Sequence, residues 1–245
     1  MQMRFIWLSL VAVLLSFIGG FLLANSINRS EIEKLRGENE NIRSTGAASK
    51  SGSPQKLSPD EIRTAVAEAD SNASSFPTQK TIGLALYRYG AIERDSEVLS
   101  EAARLLGRAA ELNPKDMDVL MGAGNAHFDM GYFNKLNDPL ITARKYYEQA
   151  LAVDPSNAEA HTEIGLTHFL QDPPDDAKAV ASFERSLALN PKYERGLEFM
   201  IQALARSGRA PEAQKYLDRL KELNPESPSL PGLADQVNNA AAAGK

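Results

Sequence analysis

The chain has 245 residues, 43% hydrophobic and 24% charged, enough for one large packed domain or two small ones. A formal charge of −5 argues against a nucleic-acid binder, and the absence of cysteine excludes disulfides, thiolate metal sites and cysteine nucleophiles. Three histidines are too few for most metal enzymes.

The first element in chain order is apolar. Phe5 to Ala24, FIWLSLVAVLLSFIGGFLLA, runs twenty residues without a charge, and the charge-free window continues to Asn28. About 20 apolar residues at 1.5 Å rise span a hydrocarbon core of about 30 Å, and Trp7 suits an interfacial anchor. A cleaved leader has a hydrophobic region of only about 7–15 residues, and Leu22 stands where its cleavage site wants a small residue. Residues 1–28 are therefore expected to be an uncleaved transmembrane anchor that holds the lipid bilayer through 5–24. Arg4 on one side faces Arg29, Lys34 and Arg36 on the other, so charge asymmetry does not orient the segment. A short N-terminal arm before a large body predicts a bacterial inner-membrane protein with its body on the periplasmic side.

Residues 29–57 follow as a juxtamembrane extension and a linker. Ile32, Leu35 and Ile42 have helical spacing, but two heptads are too few for a coiled coil; STGAASKSGSPQK, from Ser44, is small, polar and flexible. A capping helix is predicted over 58–82, opened by Ser58 as N-cap, Pro59 at the first helical position and Glu61 completing a capping box.

The next feature is a phrase written four times: AAELNPKD, ALAVDPSN, LALNPKY and KELNPES. Its prolines, Pro114, Pro155, Pro191 and Pro225, are 41, 36 and 34 residues apart, a period that marks stacked helix pairs. Eight residues before each proline stands a bulky side chain: Leu106, Tyr147, Phe183 and Leu217. Twelve before it stands alanine: Ala102, Ala143, Ala179 and Ala213. Earlier in each unit an apolar–x–x–apolar–small pattern recurs as LYRYG, LMGAG, HTEIG and LEFMI. Small residues at a helix crossing let backbones approach, and the bulky knobs fill the space beside them. The proline ends each unit because it cannot continue a helix.

This text resembles the tetratricopeptide repeat, most closely in ARKYYEQALAVDPSNAEAHTEIG, although the consensus tryptophan is absent. The resemblance implies an all-α, right-handed solenoid of four units over 83–227, placed at 83–116, 117–157, 158–193 and 194–227. The second unit carries about seven extra residues, expected as a longer connection near Phe133–Leu140, and the third carries two, in QDPPDD. Residues 228–245 are expected to give a short capping helix around Pro231–Asn239 and a loose tail.

No phosphate loop, catalytic carboxylate pair or nucleophile elbow occurs in a plausible context, so no enzyme activity, cofactor or metal is expected. His161 and His168 lie about 10 Å apart along one helix, too far to chelate one metal, and with His127 they fall at bulky core positions. What stacked helix pairs provide is a concave groove lined by their first helices. By register the groove is expected to carry Tyr87, Asp118, Asn125, Phe128, Glu159, Thr162, Glu163, Phe169, Arg195, Glu198, Gln202 and Arg206. Its partner is then a protein or peptide, with no nucleic acid. Asp118, Glu159 and Glu163 repel a carboxylate, which excludes the C-terminal carboxylate clamp found in some repeats of this type and favours basic or amide-rich guests. An N-terminal anchor followed by such repeats also resembles bacterial envelope proteins of the cytochrome c-type biogenesis group. A self-associating assembly factor, a homo-oligomer, is the alternative.

Overall fold

A computed structural model describes residues 56–243; the expected anchor, juxtamembrane extension and most of the linker lie outside the described residues. Among the described residues no helix is long and apolar enough to cross a membrane. They form ten α-helices and no strand: α1 Pro59–Ser71, α2 Phe76–Glu93, α3 Ser96–Leu112, α4 Met117–Asn134, α5 Asn137–Val153, α6 Ala158–Leu170, α7 Asp176–Leu189, α8 Glu194–Arg206, α9 Ala210–Leu223 and α10 Leu230–Ala243. The chain divides into two compact units, Met1–Ala67 and Glu68–Lys245.

In the first unit, α1 opens with the expected capping box. The Ser58 N–H donates to Glu61 Oε2 at 2.8 Å, and the Glu61 N–H donates to Ser58 Oγ at 3.3 Å. In the second unit, the buried Gln79 amide donates to the Ala69 and Asn72 carbonyls at 2.6 and 3.1 Å. Asp70 binds both Arg104, at 2.6 Å, and Arg108.

Helices α2/α3, α4/α5, α6/α7 and α8/α9 are the four pairs, and α10 closes the series. The first pair starts at Phe76, seven residues before the expected 83, so the segment 58–82 holds α1 and the opening of α2 rather than one cap. Glycine contacts show why the register slipped. A Cβ on Gly124 would fall 2.4 Å from Tyr147 Cε1, one on Gly165 2.4 Å from Phe183 Cε1, and one on Gly83 2.9 Å from Leu106 Cγ. Gly83, not Gly90, is thus the counterpart of Gly124 and Gly165. The two candidates are seven residues apart, about two helical turns, and occupy the same face of α2, so periodicity cannot choose between them.

The expected long connection in the second unit is also absent. Helix α4 ends at Asn134 and α5 begins at Asn137, leaving a two-residue turn. The extra residues lengthen the helices: α2 and α4 have 18 residues and α3 and α5 have 17, against 13 in α6 and α8 and 14 in α7 and α9. The added turns pack through a second close approach, Gly90 against Leu99 and Gly131 against Leu140, where a Cβ would fall 3.0 and 2.7 Å from Cγ. The first two pairs are therefore a matched set with a 41-residue period. In the third pair, Asn137 Nδ2 donates to the Asp172 carbonyl at 2.6 Å while the Asp172 N–H donates to Asn137 Oδ1 at 2.9 Å, tying the QDPPDD turn to α5.

The repeated Asn/Asp–Pro phrase has a hydrogen-bonding reason. Asn113, Asp154 and Asn190 each accept, through Oδ1, the N–H two residues on, at 3.3, 2.9 and 3.1 Å. The side chain mimics a backbone turn while proline blocks further helix. Asp116 and Asn157 then cap the next helix by accepting from Val119 N–H and Ala160 N–H. The core runs through the stack, with Leu106, Leu120, Tyr147, Phe183, Leu197 and Met200 almost fully buried.

Candidate partner-binding face

The first helices α2, α4, α6 and α8 bring one group of side chains together. Glu163, on α6, is 4% exposed, and Arg195, near the start of α8, places Nη2 3.1 and 3.2 Å from its two carboxylate oxygens. Arg195 also lies over the Phe199 ring, 5.9 Å from its centroid, and its buried Nε–H has no acceptor among the described residues. Around this pair act the charges of Asp129 from α4 and Glu159 from α6. Tyr87 from α2, Tyr147 from α5 and Tyr193 just before α8 feel the same charges.

The electrostatics follow from three carboxylates sharing one guanidinium. Burial pushes the Glu163 carboxyl up to about 7, against the pull of Arg195 and with help from Glu159 and Asp129. Burial pushes Asp129 up to about 6 and also raises Glu159, which stays solvent-reachable among its neighbours. The Tyr87 and Tyr193 phenols are raised for the same reason, so they stay neutral donors.

The residues expected in the groove divide. Tyr87, Glu159, Glu163 and Arg195 belong to this group. Asn125 sits at its edge and accepts the Tyr147 hydroxyl at 2.8 Å. Thr162 is fully buried and donates to Ser186 Oγ of α7 at 2.7 Å; it packs within the third pair and lines no surface. Its threonine side chain is small enough to follow the crossing of α6 and α7, which is why register alone misplaced it. Phe128 and Phe169 are also buried, at 8% and 9% exposure. Phe128 stacks on Tyr132 with centroids 6.3 Å apart, and Phe169 meets Phe199 edge-on at 6.0 Å. Asp118 is exposed and binds Lys80 at 2.8 Å. Arg206 covers Phe169, 3.7 Å from its centroid, donates to its carbonyl at 2.8 Å and pairs with Asp176, so it bolts α8 to α6 and α7. Glu198 accepts from Ser229 Oγ at 2.5 Å, before α10, and Gln202 is half-buried.

Register reasoning missed Asp129, Tyr147 and Tyr193. A tyrosine at the knob position that Leu106 and Phe183 hold elsewhere was a usable signal, because a buried hydroxyl requires a partner. The histidines lie apart from the group. His127 stacks on Tyr146 with centroids 5.7 Å apart, His161 Nε2 lies 3.3 Å from the Pro155 carbonyl, and His168 is buried with an unpartnered Nδ1. No set of three His, Cys, Asp or Glu gathers to hold a metal among the described residues.

Comparison with known proteins supplies the family context. Residues 142–194, from α5 to the start of α8, match the model of the family described as tetratricopeptide repeat. A 78-residue stretch is 31% identical to the tetratricopeptide repeat protein 21 homolog of Caenorhabditis elegans, over 32% of this chain and 6% of that protein. The chain thus spans a small fraction of the length of that curated relative. A solved structure of MamA protein superposes with a TM-score of 0.54 at 19% identity, covering 68% of this chain and 82% of that one. The MamA 41-end from Desulfovibrio magneticus RS-1 superposes at 0.53 and 14% identity, covering 80% and 97%. A thermophilic TPR protein of Thermus thermophilus superposes at 0.52 and 18% identity, covering 74% and 97%. At these identities the likeness is one of fold. The helical body is a solenoid of stacked helix pairs with the fold of these structures, and within it residues 142–194 match the tetratricopeptide repeat itself.

Proposed function

We propose that this protein is a membrane-anchored adaptor that holds a basic, extended segment of a protein partner in the groove of its first helices. The observation that carries the reading is the imbalance on that face: Asp129, Glu159 and Glu163 surround a single arginine, Arg195. A lysine or arginine of the guest relieves the carboxylate repulsion, and the phenols of Tyr87 and Tyr193 flank the approach. The anchor is the charge-free run Phe5–Ala24, which supports a single-pass protein with the repeats on the periplasmic side of a bacterial inner membrane. Cytochrome c-type biogenesis is the pathway we put forward, on the resemblance of anchor-plus-repeat organisation alone.

The test is crosslinking and pull-down of the full-length protein in its own membrane, beside a Glu159→Arg, Glu163→Arg double variant. Glu159→Arg alone serves as a control for folding, because Glu159 is exposed. Specific partners that disappear in both variants place binding on this face, and apocytochromes or haem-attachment proteins among them support the pathway. Partners that persist in the double variant remove the groove from the explanation, and self-crosslinks alone favour an assembly factor.

A further inference from the structure

Glu163 is the most enclosed of the carboxylates on this face, and its link to Arg195 joins α6 to α8 across the boundary between the third and fourth pairs. That link is exposed to solvent on one side only, since the Arg195 side chain is 37% exposed and that of Glu163 5%. The charged and titratable groups facing Glu163 are Arg195 on α8 and Tyr193 just before it, Asp129 on α4, Glu159 on α6, Tyr147 on α5 and Tyr87 on α2. Helix α7 meets α6 here with Phe183 and Ser186, which carry no charge. With the three carboxylates and Arg195 ionised and the phenols neutral, the cluster holds three negative charges and one positive charge. A proton on Glu163 therefore removes both the partner of Arg195 and a third of the negative charge that attracts a cation.

We propose that the face is proton-gated: a proton taken up by Glu163 releases the Arg195 link between α6 and α8 and competes with a cationic guest for the same carboxylate. The inference rests on the reading that this face receives a basic segment. It places the switch in the physiological range, because burial holds the free carboxyl near 7 while a bound ammonium draws it back toward the ordinary 4.5. Guest binding then expels a proton. By linkage, affinity for the cation is about tenfold weaker at pH 6 than at pH 8.

Two measurements on the full chain in detergent micelles test this. The first is thermal unfolding of wild type and Glu163→Gln at pH 8, 7 and 6. The wild type gains stability relative to the variant as pH falls, because protonation removes the cost of a buried charge; parallel curves overturn the proposal. Arg195→Gln is the second variant, and it steepens the same dependence by removing the one cation that favours ionised Glu163. The second measurement is calorimetric binding of an acetylated, amidated lysine pentapeptide in two buffers of different ionisation enthalpy. Proton release at pH 6.5, with a tenfold loss of affinity at pH 6 that vanishes in Glu163→Gln, supports the gate. Binding that ignores pH overturns the gate and leaves the basic-guest reading intact. No binding at either pH removes the basic-guest reading, and the stability comparison then decides the Glu163–Arg195 switch by itself.

Discussion

Gly124 and Gly165 show how tightly single residues specify the pairs. Each faces an aromatic ring so closely that a methyl group would overlap it, at 2.4 Å in both cases. Tyr147 and Phe183 are fully buried and have nowhere to retreat. Gly165→Ala is expected to destabilise the body by about 1–3 kcal/mol despite the higher helix propensity of alanine. A urea titration that gave an unchanged midpoint would contradict this packing. His168 is the opposite case, a polar residue, like His127 of the second pair, where the first and fourth pairs hold Leu86 and Leu204. Burial and the Arg144 charge lower its pKa to about 4, and its Nδ1 has no partner. Its folded value lies below the unfolded one, so stability present above pH 6.5 is lost as pH falls toward 4. Replacing His168 by leucine should remove that acid loss, and at pH 7 it should be neutral or stabilising by about 1 kcal/mol. Unfolding midpoints between pH 7 and pH 4.5 measure both effects, and a steeper acid loss in the variant would refute the assignment.

Within the elements, the turns of the first two pairs have one design. The Asp95 and Leu136 N–H groups donate back to Gly90 and Gly131 carbonyls, both at 2.9 Å, which closes each helix with a left-handed residue. Those residues are Arg94, φ 54°, and Lys135, φ 55°, where glycine is the usual choice. Side-chain strain in this region costs on the order of 1 kcal/mol, and the positive charge at a helix C-terminus recovers part of it. Lys135→Gly is therefore expected to raise stability by about 0.5 kcal/mol, read as a shift in denaturation midpoint. A loss of more than that amount would mean that the lysine side chain makes a contact the turn depends on. The fourth pair already uses glycine at its turn, Gly208, φ 74°.

Across the whole second unit, stability is a sum over neighbouring helices, because each pair touches mainly the pairs beside it. Helix α10 has neighbours on one side and buries only Leu233 and Val237. Helix α6 is buried along most of its length, from Ala160 to Phe169. Hydrogen exchange should therefore release the amides of α10 well before those of α6. Equal protection of the two would mean that the stack unfolds as one cooperative unit and not from its end.

The sequence by itself determined the class of the fold, the number of pairs and the residues that end them. Those features are local: an apolar face is set by residues three and four apart, and an Asn–Pro turn by three consecutive ones. The same locality explains where the reading ran out. It could not place the start of α2, since Gly83 and Gly90 share one face, nor see that extra residues would extend α4 and α5 and not their connection. The candidate site was legible only in part. Glu159, Glu163, Tyr87 and Arg195 were marked by register, whereas Asp129 and Tyr193 carried no pattern, and Thr162 was turned inward by the crossing of α6 over α7. Only the tertiary structure brought Arg195 onto Glu163, from 32 positions away in the chain, beside two more carboxylates. Charge couples through space, and distance in space is a property of the packed helices and not of the order of residues.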